Sequence, residues 1–148
     1  MQIKDVMTKG VEVVRPDETL QDAARKMKSI EVGPLPVCDG DQIIGMITDR
    51  DIIVRATAEG RDPKTTPVKE AMTPNVVCVY EDQDIDEAAT LMKERQIRRL
   101  AVLDRNKNLV GILSLGDLAE ETGAKTSGRV LESVSKPSEP ARRPRRDV

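Results

Sequence analysis

Residues 45–51 read Gly-Met-Ile-Thr-Asp-Arg-Asp, and residues 111–117 read Gly-Ile-Leu-Ser-Leu-Gly-Asp. Upstream of these two motifs, residues 3–39 align with residues 68–104 at an offset of 65 and without a gap. Thirteen of the 37 aligned pairs are identical, whereas unrelated stretches of this length share about two. The first members of the identical pairs are Lys4, Met7, Thr8, Val11, Val14, Asp17, Ala23, Ala24, Met27, Lys28, Leu35, Val37 and Asp39. Two copies of so long a period predict two half-domains packed into one body.

Each copy predicts the same order of secondary structure, β-α-β-β-α. The first copy has an extended segment at 11–14, a helix at 20–27, strands at 35–38 and 43–47, and a helix from Thr48. The second copy has the matching segments 76–79, 85–92, 100–103 and 109–113, and a helix from Ser114. One apolar stripe along the first helix is formed by Leu20, Ala23, Ala24 and Met27. The runs 43–47 and 109–113 contain no polar residue, which is typical of strands buried on both faces.

This order predicts an α+β fold in which two β-α-β-β-α repeats pack as a pseudo-twofold pair through their sheets. We expect repeat 1 at residues 1–57 and repeat 2 at residues 68–122. The linker at 58–67 contains two prolines and a glycine. Residues 123–148 are basic and rich in Pro and Arg, a composition that predicts a disordered tail.

The composition excludes several classes of protein. The chain has no Trp, no Phe and one Tyr, which disfavours modules that stack nucleic-acid bases on aromatic side chains. It has no His, the usual general base and metal ligand. It shows no apolar signal segment and no apolar run near eighteen residues, so we expect a cytoplasmic protein with no membrane segment. Cys38 and Cys78 lie in apolar runs and are interpreted as reduced core thiols.

The hydroxyl–acid pairs Thr48/Asp51 and Ser114/Asp117 each stand at a predicted strand-to-helix junction. A capping pair has this spacing in a protein with no ligand at all. A nucleotide would also suit the pair, because a helix N-terminus attracts phosphate and the carboxylate can accept both ribose hydroxyls. The repetition of the junction after a buried strand favours the nucleotide site.

Two further segments have both a structural and a functional interpretation. Arg98 and Arg99 are either solvated side chains at a strand start or clamps for phosphate, and repeat 1 has Gly33 and Pro34 in their place. We therefore expect the phosphate affinity of the two sites to differ. The turns that contain Gly10-Val11 and Asn75-Val76 need no ligand, but their backbone could bind a purine edge while the valines and nearby methionines cover its faces.

No catalytic constellation is visible in the sequence. It contains no Ser-His-Asp or Cys-His arrangement, no phosphate-binding Gly-x-x-x-x-Gly-Lys loop and no cluster with metal-ligand spacing. The arginines at 142, 143, 145 and 146 could contact nucleic acid or an acidic partner, but a solubilising tail is the preferred interpretation.

Taken in order, the motifs resemble a tandem pair of cystathionine-β-synthase (CBS) domains, also called a Bateman module, over residues 1–122. The resemblance is carried in repeat 1 by Val-Met-Thr at 6–8, Leu-Pro-Val at 35–37 and the motif at 45–51. Repeat 2 carries it by Ala-Met-Thr at 71–73, Arg-Arg-Leu-Ala-Val at 98–102 and the motif at 111–117. The chain departs from the family pattern at Ala101, where Pro is usual, and at Gly33-Pro34, which lack the basic pair.

The resemblance implies a non-enzymatic regulatory module that requires no cofactor or metal. Its expected ligand is an adenine nucleotide (AMP, ADP or ATP) or S-adenosylmethionine, bound between the repeats and signalled by conformational change. The ligand-binding positions would be Thr48, Asp51, Ser114, Asp117, Arg98, Arg99, Gly10, Val11, Asn75, Val76 and Pro36. It also implies a homodimer, a disc of four repeats, whose output is either a protein partner in trans or ligand sensing alone. The alternative is a ligand-free interaction module that acts through its dimer face or basic tail.

Overall fold

Four α-helices and two three-stranded sheets form the described part of the chain, residues 1–122 of a computed structural model. The elements of repeat 1 are α1 (Leu20–Ile30), β1 (Leu35–Asp39), β2 (Gln42–Ile47) and α2 (Asp49–Ile52), which continues into a turn of π-helix (Ile53–Thr57). Those of repeat 2 are β3 (Thr73–Pro74), β4 (Cys78–Tyr80), α3 (Ile85–Arg95), β5 (Arg99–Leu103), β6 (Leu109–Ser114) and α4 (Leu115–Thr122). The predicted α+β class is confirmed. The predicted tail, 123–148, lies outside the described residues.

The first helices of the two repeats match in length and in the way they end. α1 and α3 both have 11 residues and both end at a residue in the left-handed conformation, Glu31 and Gln96. On α1, Leu20, Ala23 and Met27 are buried, as predicted for its apolar stripe. Ala24, the fourth predicted member of that stripe, is exposed.

The N-terminal segment of each repeat packs into the core of the other repeat. Ile3 is fully buried in the cluster that contains Leu100 and Leu113 of repeat 2. Reciprocally, Val68 and Ala71 are buried in the cluster of repeat 1. The two halves therefore complete each other's hydrophobic core, and burial of these side chains stabilises both halves together.

The backbone hydrogen bonds of the sheets also join the two repeats. β1 and β2 are antiparallel, and β3 adds to them through the pairs Gly45↔Pro74 and Met46↔Thr73. In the other sheet, β4 lies parallel to β5 and β5 antiparallel to β6. Thr8 of repeat 1 then bridges Ile112 with two backbone hydrogen bonds of 2.9 and 3.0 Å. Each sheet thus has an edge formed by residues of the other repeat, β3 in the first sheet and Thr8 in the second.

The extended segments predicted at 11–14 and 76–79 are only partly strands. In repeat 1 only Val14 pairs, as an isolated parallel bridge to Val37, and in repeat 2 the strand begins at Cys78. The residues before these points cross from one sheet to the other and cannot continue a ladder. Both crossings turn through a left-handed residue, Gly10 (φ 64°) and Asn75 (φ 60°), residue types that tolerate this conformation.

The prediction that β2 and β6 are buried on both faces is wrong. On β2, Gly45 and Ile47 are buried, but Ile43, Ile44 and Met46 are only half-buried, and β6 repeats this pattern. Ile47 and Leu113 lie in the core, and the half-buried Ile44 and Val110 pack against it. Met46 and Ile112 line a cavity between the repeats.

Candidate functional site

A cavity of about 640 Å³ lies between the two repeats. This volume is within the range of about 300–1,000 Å³ that is typical of small-molecule sites. Repeat 1 contributes Thr8, Lys9, Gly10, Val11, Glu12, Ile30, Glu31, Val32, Gly33, Pro34, Leu35, Pro36 and Met46. Repeat 2 contributes Arg99, Ile112, Ser114 and Asp117. Both repeats are therefore needed to form the site.

Ser114 and Asp117 form the capping box that starts α4 and also line the cavity. The Ser114 N–H donates to Asp117 Oδ2 (2.9 Å), and the Asp117 N–H donates to Ser114 Oγ (3.1 Å). The structural and the functional interpretations thus apply to the same two side chains. Within residues 1–122 Asp117 has no ion-pair partner, so its second carboxylate oxygen is available to a ligand.

The apolar wall of the cavity comes from side chains that could cover a planar ring. Val11 and Pro36, both predicted site residues, lie in this wall. Met46 and Ile112 face them from β2 and β6 and were missed by the sequence analysis, because an uninterrupted apolar run does not show which of its side chains face a cleft. Gly10 lies beside Val11 and presents backbone to the cavity.

The charged lining is mixed in sign. Lys9 and Arg99 are the basic lining residues, and Glu12, Glu31 and Asp117 are the acidic ones. Arg99 pairs with Ser114 across β5 and β6, which places the two residues side by side next to the start of α4. Arg98 does not line this cavity; its carbonyl accepts a hydrogen bond from the Leu115 N–H (2.9 Å). Only one member of the predicted arginine pair therefore contributes here.

Four more of the predicted site residues lie outside this cavity. Thr48, Asp51, Asn75 and Val76 do not line the 640 Å³ cavity. Thr48 and Asp51 form the same capping box at α2, with hydrogen bonds of 3.0 Å in both directions. The Asp51 side chain is only 13% exposed, and Arg55 stands 3.8 Å from its Oδ1.

A smaller cavity of about 260 Å³ shares Gly10 and Val11 with the main one and reaches Cys38. Cys38 is 3% exposed. Burial, and secondarily the charge of Asp41, raises the pKa of the Cys38 thiol to about 11. Burial also raises the pKa of Cys78, which is half-buried.

Cys38 is therefore expected to resist alkylation in the native protein between pH 7 and about pH 9, because a thiol with a raised pKa carries almost no reactive thiolate. Iodoacetamide labelling followed by peptide mass spectrometry, with and without urea, would measure this. Cys38→Ser and Cys78→Ser variants would separate the two thiols. Rapid native labelling of Cys38 would contradict the prediction.

Comparisons with known proteins agree with this architecture. A sequence model of the CBS domain matches residues 3–56 and again residues 68–123. The CBS domain-containing protein YhcV of Bacillus subtilis is 44% identical over 134 residues, which cover 90% of this chain and 94% of that protein.

Two solved structures resemble the fold and hold ligands. The CBS domain pair of protein MJ0100, in complex with 5'-methylthioadenosine and S-adenosyl-L-methionine, has a TM-score of 0.71 and 27% identity over 83% of this chain and 100% of that chain. CBSX2 in complex with AMP has a TM-score of 0.69 and 28% identity over 82% and 95%. All three ligands contain adenosine.

Within residues 1–122, no helix has the length and apolar character needed to cross a bilayer. The same residues bring together no group of three or more His, Cys, Asp or Glu side chains that could hold a metal ion.

Proposed function

The chain belongs to the CBS domain family, and from that premise we propose that it is a regulatory module that binds an adenosine-containing ligand in the cavity between its repeats. The observation that carries this proposal is the cavity itself, in which a hydroxyl–acid pair, an apolar wall and two cations converge. Asp117 would accept the ribose hydroxyls, and Ser114 would contact phosphate or ribose. The backbone at Gly10 would meet the base, which Val11, Pro36, Met46 and Ile112 would cover.

The charged lining favours ligands with few negative charges. Two basic and three acidic residues line the cavity, so a triphosphate would bring about four negative charges next to a lining that is already slightly acidic. A monophosphate can instead be matched by Lys9 and Arg99. We therefore propose AMP or S-adenosylmethionine, rather than ATP, as the preferred ligand type.

Signalling would follow because residues of both repeats form the site. A ligand held at once by residues 8–12 and by Ser114 and Asp117 stabilises one relative arrangement of the repeats. Only its difference in affinity between arrangements can shift them, and a coupling free energy of about 1–3 kcal/mol is typical. A protein partner in trans would read that arrangement.

Thermal unfolding with AMP, ADP, ATP, S-adenosylmethionine, NAD and, as a control without adenine, GMP tests the proposal. A ligand at a hundredfold excess over its dissociation constant stabilises the folded state by about 2.7 kcal/mol, a readily measured shift. The expected order is AMP or S-adenosylmethionine above ATP, with no shift from GMP. If no adenosine compound shifts unfolding, the ligand-free interaction module becomes the better hypothesis.

We also propose that two chains form a twofold dimer through their second helices. Ile53 and Val54 are 58% and 45% exposed just after α2. The exposed charges are mixed on α2, with Asp49 and Arg50, and acidic on α4, with Glu120 and Glu121, so the apolar pair rather than charge would carry the contact. A twofold axis would repeat this contact, as closed symmetric dimers do.

Ile53→Asp with Val54→Asp is expected to convert such a dimer to a monomer, because the change places charges in the apolar centre of the contact. Light scattering after size exclusion would give the mass. Ala24→Asp, an equivalent change at an exposed position on α1, is the control and should leave the mass unchanged. A wild-type protein that is monomeric at high concentration would contradict the proposed dimer.

A further inference from the structure

The two hydroxyl–acid junctions differ in the residue four positions after the acid. Asp51 is followed by Arg55, in the turn of π-helix, whereas Asp117 is followed by Glu121, in α4. On a helical surface, residues four apart are neighbours. Arginine there can pair with the acid, and glutamate can only repel it.

Arg55 lies across the acid of its own junction. Its Nε stands 3.8 Å from Asp51 Oδ1, and the other carboxylate oxygen, Oδ2, accepts the Thr48 N–H at 3.0 Å. One oxygen is therefore hydrogen-bonded within the chain and the other has a guanidinium beside it, so a ribose hydroxyl that approached Oδ1 would have to displace Arg55. At the second junction the capping hydrogen bond engages only Oδ2 of Asp117.

Arg55 also reaches the other repeat. Its Nη1 donates to the Met72 carbonyl oxygen at 3.1 Å. Met72 is the repeat equivalent of Met7, and Thr8, the next residue after Met7, borders the open cavity. Arg55 thus contacts both Asp51 and the segment at Met72. The equivalent segment of repeat 1 forms a wall of the Asp117 cavity.

We propose that Arg55 is an internal strap that closes the junction of Asp51, so that each chain binds one ligand, in the cavity of Asp117. This inference rests on the proposed function, since it says which of two related junctions the adenosine ligand occupies. The strap makes the two halves of a duplicated module unequal. The site that remains open responds to ligand, and the strapped one holds the repeats together.

Isothermal titration with AMP and with adenosine, on wild type, Arg55→Ala and Arg55→Lys, tests the strap. Wild type should bind about one ligand per chain at saturation. Arg55→Ala should show a second binding event for adenosine, because Asp51 Oδ1 is released. Arg55→Lys keeps a cation beside Asp51 and should stay at about one, while circular dichroism confirms that all three proteins are folded.

Each of the other outcomes overturns the strap, and the last one also overturns the proposed function. Two ligands per wild-type chain would overturn the strap but leave the proposed function standing. A loss of affinity in Arg55→Ala would make Arg55 a ligand-binding residue and also overturn it. A single event in Arg55→Ala would show that the junction stays closed without the strap. If neither compound binds wild type or Arg55→Ala, the proposed function fails together with this inference.

Discussion

Asp117→Ala is expected to weaken binding of AMP or S-adenosylmethionine by about tenfold or more. Loss of a hydrogen bond to a charged group costs about 1.5–3 kcal/mol, and about 1.4 kcal/mol is a factor of ten in affinity. The cost is expected to be large here because Asp117 lines the cavity and has no ion-pair partner within residues 1–122. Isothermal titration on the purified variant would measure the loss.

The capping role of Asp117 must be separated from ligand binding. Removing its carboxylate also removes the hydrogen bond from the Ser114 N–H, so we expect the free energy of unfolding to fall by about 1 kcal/mol. Asp22→Ala removes the same kind of capping box at α1, away from the cavity, and is the matched control. Equal loss of affinity in the two variants would show that Asp117 acts through stability alone.

Gly111→Ala is expected to destabilise the protein by about 1–3 kcal/mol, the usual cost of forcing extra volume into a packed core. A Cβ at this position would stand 2.7 Å from Met7 Sδ and 2.8 Å from the Thr8 carbonyl oxygen. The methionine could move, but the Thr8 backbone is fixed by its two hydrogen bonds to Ile112. Urea unfolding monitored by circular dichroism would measure the change.

Gly45→Ala should behave alike, because Met72 and the Thr73 carbonyl oxygen stand at the same 2.7 and 2.8 Å. Gly116→Ala is the control, and we expect it to raise the free energy of unfolding instead of lowering it. A Cβ there would meet only Ser114 Oγ, at 3.6 Å, and alanine in a helix is more favourable than glycine by up to about 1 kcal/mol. If Gly111→Ala unfolds at the same urea concentration as wild type, the close crossing does not hold the repeats together as described.

Much of the local structure could be predicted from residue spacing. The duplication led directly to the α+β class, and the apolar stripe of 85–92 is buried as expected, with Ile85, Ala88, Ala89 and Met92 in the core. The hydroxyl–acid spacing placed both helix starts. These features depend on neighbours within about four residues, and such spacing is visible in a sequence.

The candidate site was predicted less completely. Ser114, Asp117, Arg99, Gly10, Val11 and Pro36 line one cavity, as a shared cleft requires. Met46 and Ile112 were missed, and Arg98 lies outside that cavity. The lining depends on which face of β2 and β6 is covered by core, and two equally apolar faces do not reveal this.

By itself the sequence determined two equivalent halves, their elements and the positions of their helix caps. It did not determine that Ile3 fills the core of repeat 2 while Val68 fills that of repeat 1. Because the copies carry the same Met-Thr segment and the same strand glycine, Met7 would match Gly45 as well as it matches Gly111. Only the packed chain distinguishes these pairings, since each half leaves open a hydrophobic core that the start of the other half fills. The same packing brings Arg55 to the Met72 carbonyl and leaves Asp117 facing a cavity.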